Sequence, residues 1–369
     1  MTVGPSARSD GPPRRRILVI RLGAVGDVIR LLPVLTLIRR KEPEATIAWV
    51  SEEAPSALLA GHPALDELIV LPRRSIGLLL SRPRTVLRGL VETMRFARAL
   101  RRGRWDVVLD FHGTLKSGLV SAVSGAPERW GYEPPGSKEG NRLFNNRRVA
   151  IPAGPLHRIE RNLALVRAFG APGDEVRVEL PITAAHRERI ARWWEEQGLA
   201  GRTAVLLYPG TSRRQSWKRP PAELFGETGR RLAENPGIAV LVAGGPGEED
   251  LVRQVASADP VRLRVVPTLG LLELAELVRR CRLFLGPDTG PMHLAWAVGC
   301  PVLALFGPTD PRINSPWGTG HRVLYNVLSQ RGGPTHWPAA DEIAEAARAM
   351  LGEASRPPNL PGTSNGAAG

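Results

Sequence analysis

Short, nearly continuous apolar runs recur along this chain, and between them apolar residues return every third or fourth position. The first rhythm predicts strands buried on both faces, and the second predicts amphipathic helices. Strands are expected at 17–21, 46–50, 67–71 and 107–111, with helices at 27–41 and 84–102. The pattern then restarts. Strands are expected at 204–208, 239–243, 261–266, 283–286 and 302–306, with helices at 222–234, 248–257, 272–280 and 291–298. Such alternation predicts parallel sheets with crossover helices, hence an α/β protein of two doubly wound units. Ligands in such sheets bind beyond the carboxyl ends of the strands, so a cleft between the two units is the expected site. The organisation read from the chain is a disordered leader at 1–16, a first domain at 17–183 and a charged helical linker at 184–201. A second domain follows at 202–330, then a segment with a final helix at 331–352 and a disordered tail at 353–369.

Composition narrows the partners. Lysine and arginine number 50 against 36 acidic residues, a net charge of +14 carried mostly by arginine. That balance suits an anionic partner: nucleic acid, acidic lipid, or a phosphorylated or carboxylated substrate. Nucleic-acid binding calls for a recognisable module or interleaved basic and aromatic residues, and aromatics are few, so no nucleic acid is expected. The two cysteines, Cys281 and Cys300, lie in apolar segments and read as buried free thiols of a reducing compartment. The start of the chain lacks the apolar core of a signal peptide, and no segment approaches bilayer-spanning length. A cytoplasmic protein is expected.

Two turns carry the candidate chemistry. Gly286-Pro-Asp-Thr-Gly-Pro-Met-His293 joins a strand to a helix. Unpaired N–H groups and the dipole at such a helix start suit a phosphate or pyrophosphate. Thr289 either caps the helix or binds the anion, and His293, one turn in, either donates to it or only packs. The first strand ends in Ile20-Arg-Leu-Gly-Ala-Val-Gly-Asp27, where the G-x-G-x-x-G spacing of a dinucleotide fingerprint is absent. A hydride-transferring dehydrogenase is therefore disfavoured. Asp27 reads either as an N-cap or as a general base on an incoming hydroxyl.

Five segments resemble one family. They are Arg16 to Pro33, Asp110-Phe-His-Gly-Thr-Leu-Lys-Ser117, and Tyr208-Pro-Gly-Thr-Ser212 with Trp217-Lys218. The series is completed by Gly286 to Ala295 and Leu305-Phe-Gly-Pro-Thr-Asp310. In order and through both domains, they resemble the ADP-heptose:lipopolysaccharide heptosyltransferases, glycosyltransferase family 9. The resemblance implies a GT-B fold, two Rossmann-like domains with the active site in the interdomain cleft. The N-terminal domain would bind the acceptor and the C-terminal domain the nucleotide sugar. It further implies an inverting transfer with one base, which falls on Asp27, beside Gly26 in the acceptor site.

On the donor side the family's Asp-Thr-Gly-x-x-His falls on Asp288, Thr289, Gly290 and His293. Thr289 and Gly290 would hold the diphosphate, and Asp288 would orient the loop or meet a sugar hydroxyl. Thr211 belongs to the same donor site. Lys218 would neutralise charge on departing ADP, with Arg214 as a substitute. Glu248 resembles a glutamate that meets the nucleoside ribose, or is simply an acid favoured in a first helical turn. No Asp-x-Asp pair occurs, so transfer without a metal or other cofactor is expected.

The implied acceptor is the anionic inner core of lipopolysaccharide, a Kdo or heptose on lipid A, and the implied donor is ADP-heptose. Arg73, Arg74, Lys116, Arg158 and Arg161 are the candidate acceptor-binding cations. His112 stands where the family often has glutamine, which leaves the acceptor open. A family member using another nucleotide sugar is the alternative. The helix at 84–102 carries an apolar stripe beside dense arginine. It reads either as a core-facing stripe with a solvated basic face, or as peripheral contact with an anionic inner membrane.

Overall fold

The computed structural model of the chain describes residues 14–82, 84–173, 175–326 and 336–353. Of the expected disordered ends, 1–13 and 354–369 lie outside the described residues. The chain forms two compact units. One holds the residues up to Arg187 together with Gly270–Ala275 and Arg312–Ser315; the other holds Glu188–Leu269, Glu276–Pro311 and the chain from Pro316 onward.

The first unit is built on six parallel strands: β1 (Arg16–Ile20), β2 (Thr46–Glu52), β3 (Glu67–Leu71), β4 (Val107–Asp110), β5 (Glu128–Tyr132) and β6 (Arg147–Val149). Their order is β3-β2-β1-β4-β5-β6. Helices cover the faces, so Ile17 to Ile20 are buried throughout and the strand shows no polar alternation. The winding reverses between β1 and β4, where a doubly wound sheet opens a crevice at its strand ends. Leu18, Ile20, Val50 and Val108 pack there with Leu100 and Trp105.

Several elements differ from the sequence reading. The expected helix at 27–41 is two, Val25–Ile29 and Leu32–Lys41. Pro33 lies in the first turn of the second, where a missing N–H is harmless and the ring favours a new start. β5 and β6 were not expected, because Glu-Arg-Trp-Gly-Tyr and Arg-Arg-Val carry no continuous apolar run. The helices Arg73–Leu80, Leu115–Ser124 and Arg158–Ala168 are also additional. The helix Val86–Arg102 overturns the core-facing reading of its stripe. It buries Gly89 and Leu100, while Leu87, Leu90, Val91 and Met94 are exposed.

The second unit repeats the winding with β7 (Thr203–Leu207), β8 (Ile238–Val242), β9 (Leu263–Val265), β10 (Leu283–Pro287), β11 (Val302–Phe306) and β12 (Arg322–Tyr325). All pairs are parallel, in the order β12-β11-β10-β7-β8-β9, so its reversal falls between β7 and β10. The helix Ala340–Glu353 joins this unit's core through Ile343, Ala344 and Ala347. Cys281 and Cys300 are free and buried, and burial pushes the Cys300 thiol up to about 12. Among the described residues no helix is long and apolar enough to cross a membrane.

Candidate active site

Each unit gathers chemistry at its own winding reversal. In the first unit, β1 runs into Arg21-Leu-Gly-Ala24 and the helix Val25–Ile29, whose N-cap residue is Ala24. Asp27 is therefore not the N-cap but the third helical residue. Its carboxylate reaches back to accept the Ala24 N–H at 3.3 Å, half of a capping-box arrangement. Arg30 Nη2 donates to Asp27 Oδ1 at 2.6 Å, and Arg21 forms a second, shorter ion pair with Oδ2. Arg21 Nη1 is anchored on the Phe111 carbonyl at 2.9 Å, at the end of β4, which ties the two strands at the reversal together. Burial works to raise the Asp27 pKa. The opposing pull of Arg21, Arg30 and Arg158 prevails and holds the carboxyl well below the usual carboxylate range.

Arg158 and Arg161 begin the helix Arg158–Ala168, whose N-cap His157 accepts the Ile159 N–H through Nδ1 at 3.3 Å. Arg161 lies over the Tyr132 ring, 4.3 Å from its centroid, and donates to the Gly136 carbonyl at 2.6 Å. The Nε atoms of Arg21, Arg30, Arg158 and Arg161 are all buried without a hydrogen-bond partner among the described residues. Several cations thus surround one carboxylate, an electrostatic surplus that favours an incoming anion. Gly113 has φ +74°, and a Cβ there would lie 2.8 Å from Arg161 Nη2 and 2.7 Å from the Gly136 oxygen, so glycine is required. His112 faces the same charges. Burial and then Arg21 push its imidazole down to about 3, so it is neutral at working pH. Gly26 is buried in the first turn after the loop.

Arg73 and Lys116 do not join this group. Both converge on Glu52 at the end of β2, Arg73 Nη1 at 3.0 Å from Oε2 and Lys116 Nζ at 3.4 Å from Oε1. The Arg74 side chain lies outside the described residues. Asp110 at the end of β4 is wholly buried and accepts from the His112 and Gly113 N–H groups, Ser117 and Asn141. It is a loop organiser.

In the second unit, β7 leads into Tyr208 to Thr211 and a tight turn, Arg213–Lys218, while β10 leads into Asp288 and the helix Gly290–Ala297. Lys218 and Asp288 are both buried, and Lys218 Nζ donates to Asp288 Oδ2 at 2.8 Å. Arg214 is exposed, so Lys218 is the cation at this centre. His293 Nε2 stands 3.7 Å from Asp288 Oδ1, and His293 Nδ1 accepts from the Trp296 indole N–H at 3.2 Å. An indole nitrogen only donates, so this bond leaves the imidazole proton on Nε2, facing Asp288. Burial alone would raise the Asp288 pKa; the His293 bond and the Lys218 charge instead hold it well below the usual range. Thr289 occupies the N-cap position of the helix, but its hydroxyl makes no capping bond.

Glu248 sits across the β7 loop. It accepts the Gly245 N–H at 2.7 Å, pairs with Arg219 at 3.5 Å and accepts from the Tyr208 hydroxyl. Burial raises its pKa. A Cβ on Gly210 would lie 2.0 Å from Glu248 Oε2, so only glycine lets the loop pass this carboxylate. The Thr211 hydroxyl is buried with no partner among the described residues. Among the described residues no group of three or more His, Cys, Asp or Glu is arranged to hold a metal ion.

Sequence reasoning missed Arg21, Arg30, Glu52, Tyr208, Arg219 and Trp296. Arg30 and Trp296 had a readable signal, because each stands three positions after Asp27 and His293 on a helix. Arg21 pairs with Asp27 within the same turn but is anchored from Phe111, and the others meet partners far along the chain, beyond any local spacing.

Comparison with known proteins adds the following. A family model described as glycosyltransferase family 9 (heptosyltransferase) matches residues 93–332. The chain is 29% identical over 304 residues to lipopolysaccharide heptosyltransferase 1 of Pseudomonas aeruginosa, covering 82% of this chain and 81% of that protein. Among solved structures it is similar to a glycosyltransferase family 9 protein of Veillonella parvula. That match has a TM-score of 0.77 and 23% identity, covering 92% of this chain and 97% of that one. It is also similar to Escherichia coli heptosyltransferase WaaC with ADP. There the TM-score is 0.72 and the identity 24%, covering 91% of this chain and 99% of that one. These likenesses bear out the expected GT-B class of two parallel-sheet α/β domains.

Proposed function

Because this chain belongs to glycosyltransferase family 9, the heptosyltransferases, we propose that it moves heptose from ADP-heptose onto the inner core of lipopolysaccharide. The transfer inverts the anomeric centre and uses no metal ion. The observation that carries the reading is the group formed by Lys218, Asp288 and His293 at the head of the helix Gly290–Ala297. Thr289 and Gly290 present a hydroxyl and helix N–H groups to a diphosphate, and the buried Thr211 hydroxyl offers a further donor. Lys218, held in place by Asp288, neutralises the charge that appears on ADP as the sugar–phosphate bond breaks. The ADP held by the Escherichia coli relative supports an ADP-linked donor. Glu248, with one edge tied to the β7 loop, meets the ribose.

On the acceptor side, a sugar hydroxyl attacks the anomeric carbon from the face opposite ADP and gives its proton to Asp27. Inversion follows from that single displacement. Asp27 paired with two arginines is ionised at working pH but weakly basic. A carboxylate on the acceptor, as in Kdo, would draw on Arg158 and its neighbours and restore basicity to Asp27. Arg161 holds Arg158's helix against Tyr132, while Arg73 and Lys116, which converge on Glu52 apart from that group, would meet outer parts of the acceptor. The second reading keeps this chemistry with another nucleotide sugar.

The deciding experiment incubates the protein with ADP-heptose and defined Kdo- or heptose-terminated acceptors and identifies the product by mass. A mass increase of one heptose supports the reading and tells which acceptor is used. Tighter binding of UDP-sugars than of ADP-sugars, with no heptose transferred, sinks it in favour of the second.

A further inference from the structure

The helix Val86–Arg102 is amphipathic in the wrong sense for a domain that needs only to fold. Successive residues turn by about 100°. Leu87, Leu90, Val91 and Met94 therefore share one face, and buried Gly89, with Phe96 and Leu100, which pack into the sheet's core, occupies the opposite one. Leu87 is 75% exposed, Met94 54%, and Leu90 and Val91 45% each. Four adjacent large apolar side chains aimed into water are a liability unless something covers them. Further exposed apolar groups, Leu78 and Leu119, stand on the two helices that flank this one.

The surroundings of the stripe say what covers it. Toward the C-terminal end the same face becomes Arg98 and Arg101, which with Arg102 and Arg104 line one hollow. Arg84, Arg88 and Arg95 run along one edge of the stripe. The single acidic residue of the helix, Glu92, is paired with Arg95 at 2.7 Å. A second copy of the chain is a poor occupant, because either direction of self-pairing sets arginine against arginine. A nucleic-acid backbone offers nothing to the leucines. A bilayer with anionic headgroups satisfies both, burying the apolar face below the headgroups while the arginines meet phosphates.

We propose that the face of Val86–Arg102 bearing Leu87, Leu90, Val91 and Met94, with its arginine end, is a docking surface for an anionic membrane. The surface goes beyond the transfer reaction and does not depend on it. It contains neither Asp27 nor the arginines paired with it.

The test is vesicle flotation of the full chain without substrates, using phosphatidylcholine alone and phosphatidylcholine mixed with phosphatidylglycerol. Native protein should float with the anionic vesicles and stay behind with the neutral ones. Each arginine near an anionic surface contributes roughly fivefold to partitioning. The pair Arg98→Glu and Arg101→Glu should therefore lower binding by at least about 25-fold. The pair Leu87→Glu and Met94→Glu should lower it by at least about tenfold. All four side chains are exposed, so both variants should keep the native unfolding temperature and the native rate on a water-soluble acceptor. Absence of flotation with anionic vesicles, or equal flotation of native protein and both variants, overturns the proposal. So does a dimer in sedimentation that Leu87→Glu with Met94→Glu dissociates, which would make the occupant a second copy.

Discussion

Replacing Asp27 by asparagine preserves the side chain's shape and removes its charge. The carboxylate lies between the guanidiniums of Arg21 and Arg30, and its side chain is 24% exposed. Removing one partner of a fully buried ion pair costs about 3–5 kcal/mol. Partial exposure screens some of that, so a loss of about 2–3 kcal/mol is expected. In a unit of this size such a loss lowers the unfolding midpoint by roughly 4–12 °C. Turnover should fall about 10²–10⁴-fold, the range of general-base contributions. Nucleotide affinity, which the proposed function assigns to residues of the other unit, should stay within about twofold. Adding Arg30→Gln removes one opposing cation and should recover part of the stability but none of the rate. The pH dependence has a definite sign. Because the folded pKa is depressed, the carboxylate's stabilisation is complete above the unfolded aspartate value near 3.9 and fades as pH falls below it. The native protein should lose this increment below about pH 4, and the asparagine variant should have none to lose. Thermal unfolding by circular dichroism and release of ADP measure the two arms. An unchanged midpoint for Asp27→Asn refutes the ion-pair reasoning. A rate within about tenfold of native refutes the base assignment.

Three further outcomes are expected. Lys218→Met leaves Asp288 buried without its cation, so the unfolding free energy should drop by about 3 kcal/mol and the rate by at least about 100-fold, read by denaturant titration and by turnover. Trp296→Phe keeps the ring but loses the N–H that fixes the His293 tautomer. It should cost about 1 kcal/mol of stability and alter the pH profile of turnover, whereas a purely packing role would leave that profile unmoved. EDTA should leave the rate unchanged, and a loss restored by magnesium would show that the transfer needs a metal.

Much of this molecule can be read from its sequence because parallel strands covered by helices are continuously apolar. β1, β2, β7, β8, β10 and β11 stand out on that ground alone. β5 and β6 do not, since strands of three to five residues, one holding a glycine and an arginine and the other two consecutive arginines, resemble loops. The site was legible where its chemistry is local: Asp27 on its glycine turn, and Asp288, Thr289 and His293 on one strand-to-helix turn. Lys218 was legible as a residue but not as the partner of Asp288, because that bond spans 70 positions. Glu52 is the extreme case. It reads as an ordinary strand end, and only the sheet brings it to Arg73 and Lys116. The apolar stripe of Val86–Arg102 marks the limit of periodicity, which reports that a helix has two faces but not which one meets the sheet.

The helix Ala340–Glu353 has a consequence for how the polypeptide is made. Its residues Ile343, Ala344, Ala347 and Met350 complete the core that β7 and β8 begin. On the ribosome the main part of the first unit, up to Arg187, emerges early and can begin to fold while translation continues. The second must wait with its sheet half covered through the stretch from β12 to Met350, roughly one to five seconds of synthesis at ordinary elongation speeds. During that interval the apolar surface that this helix covers, on the helix Ala222–Leu232 and β10, is open to solvent, so this is the window in which a nascent chain of this protein most needs a chaperone.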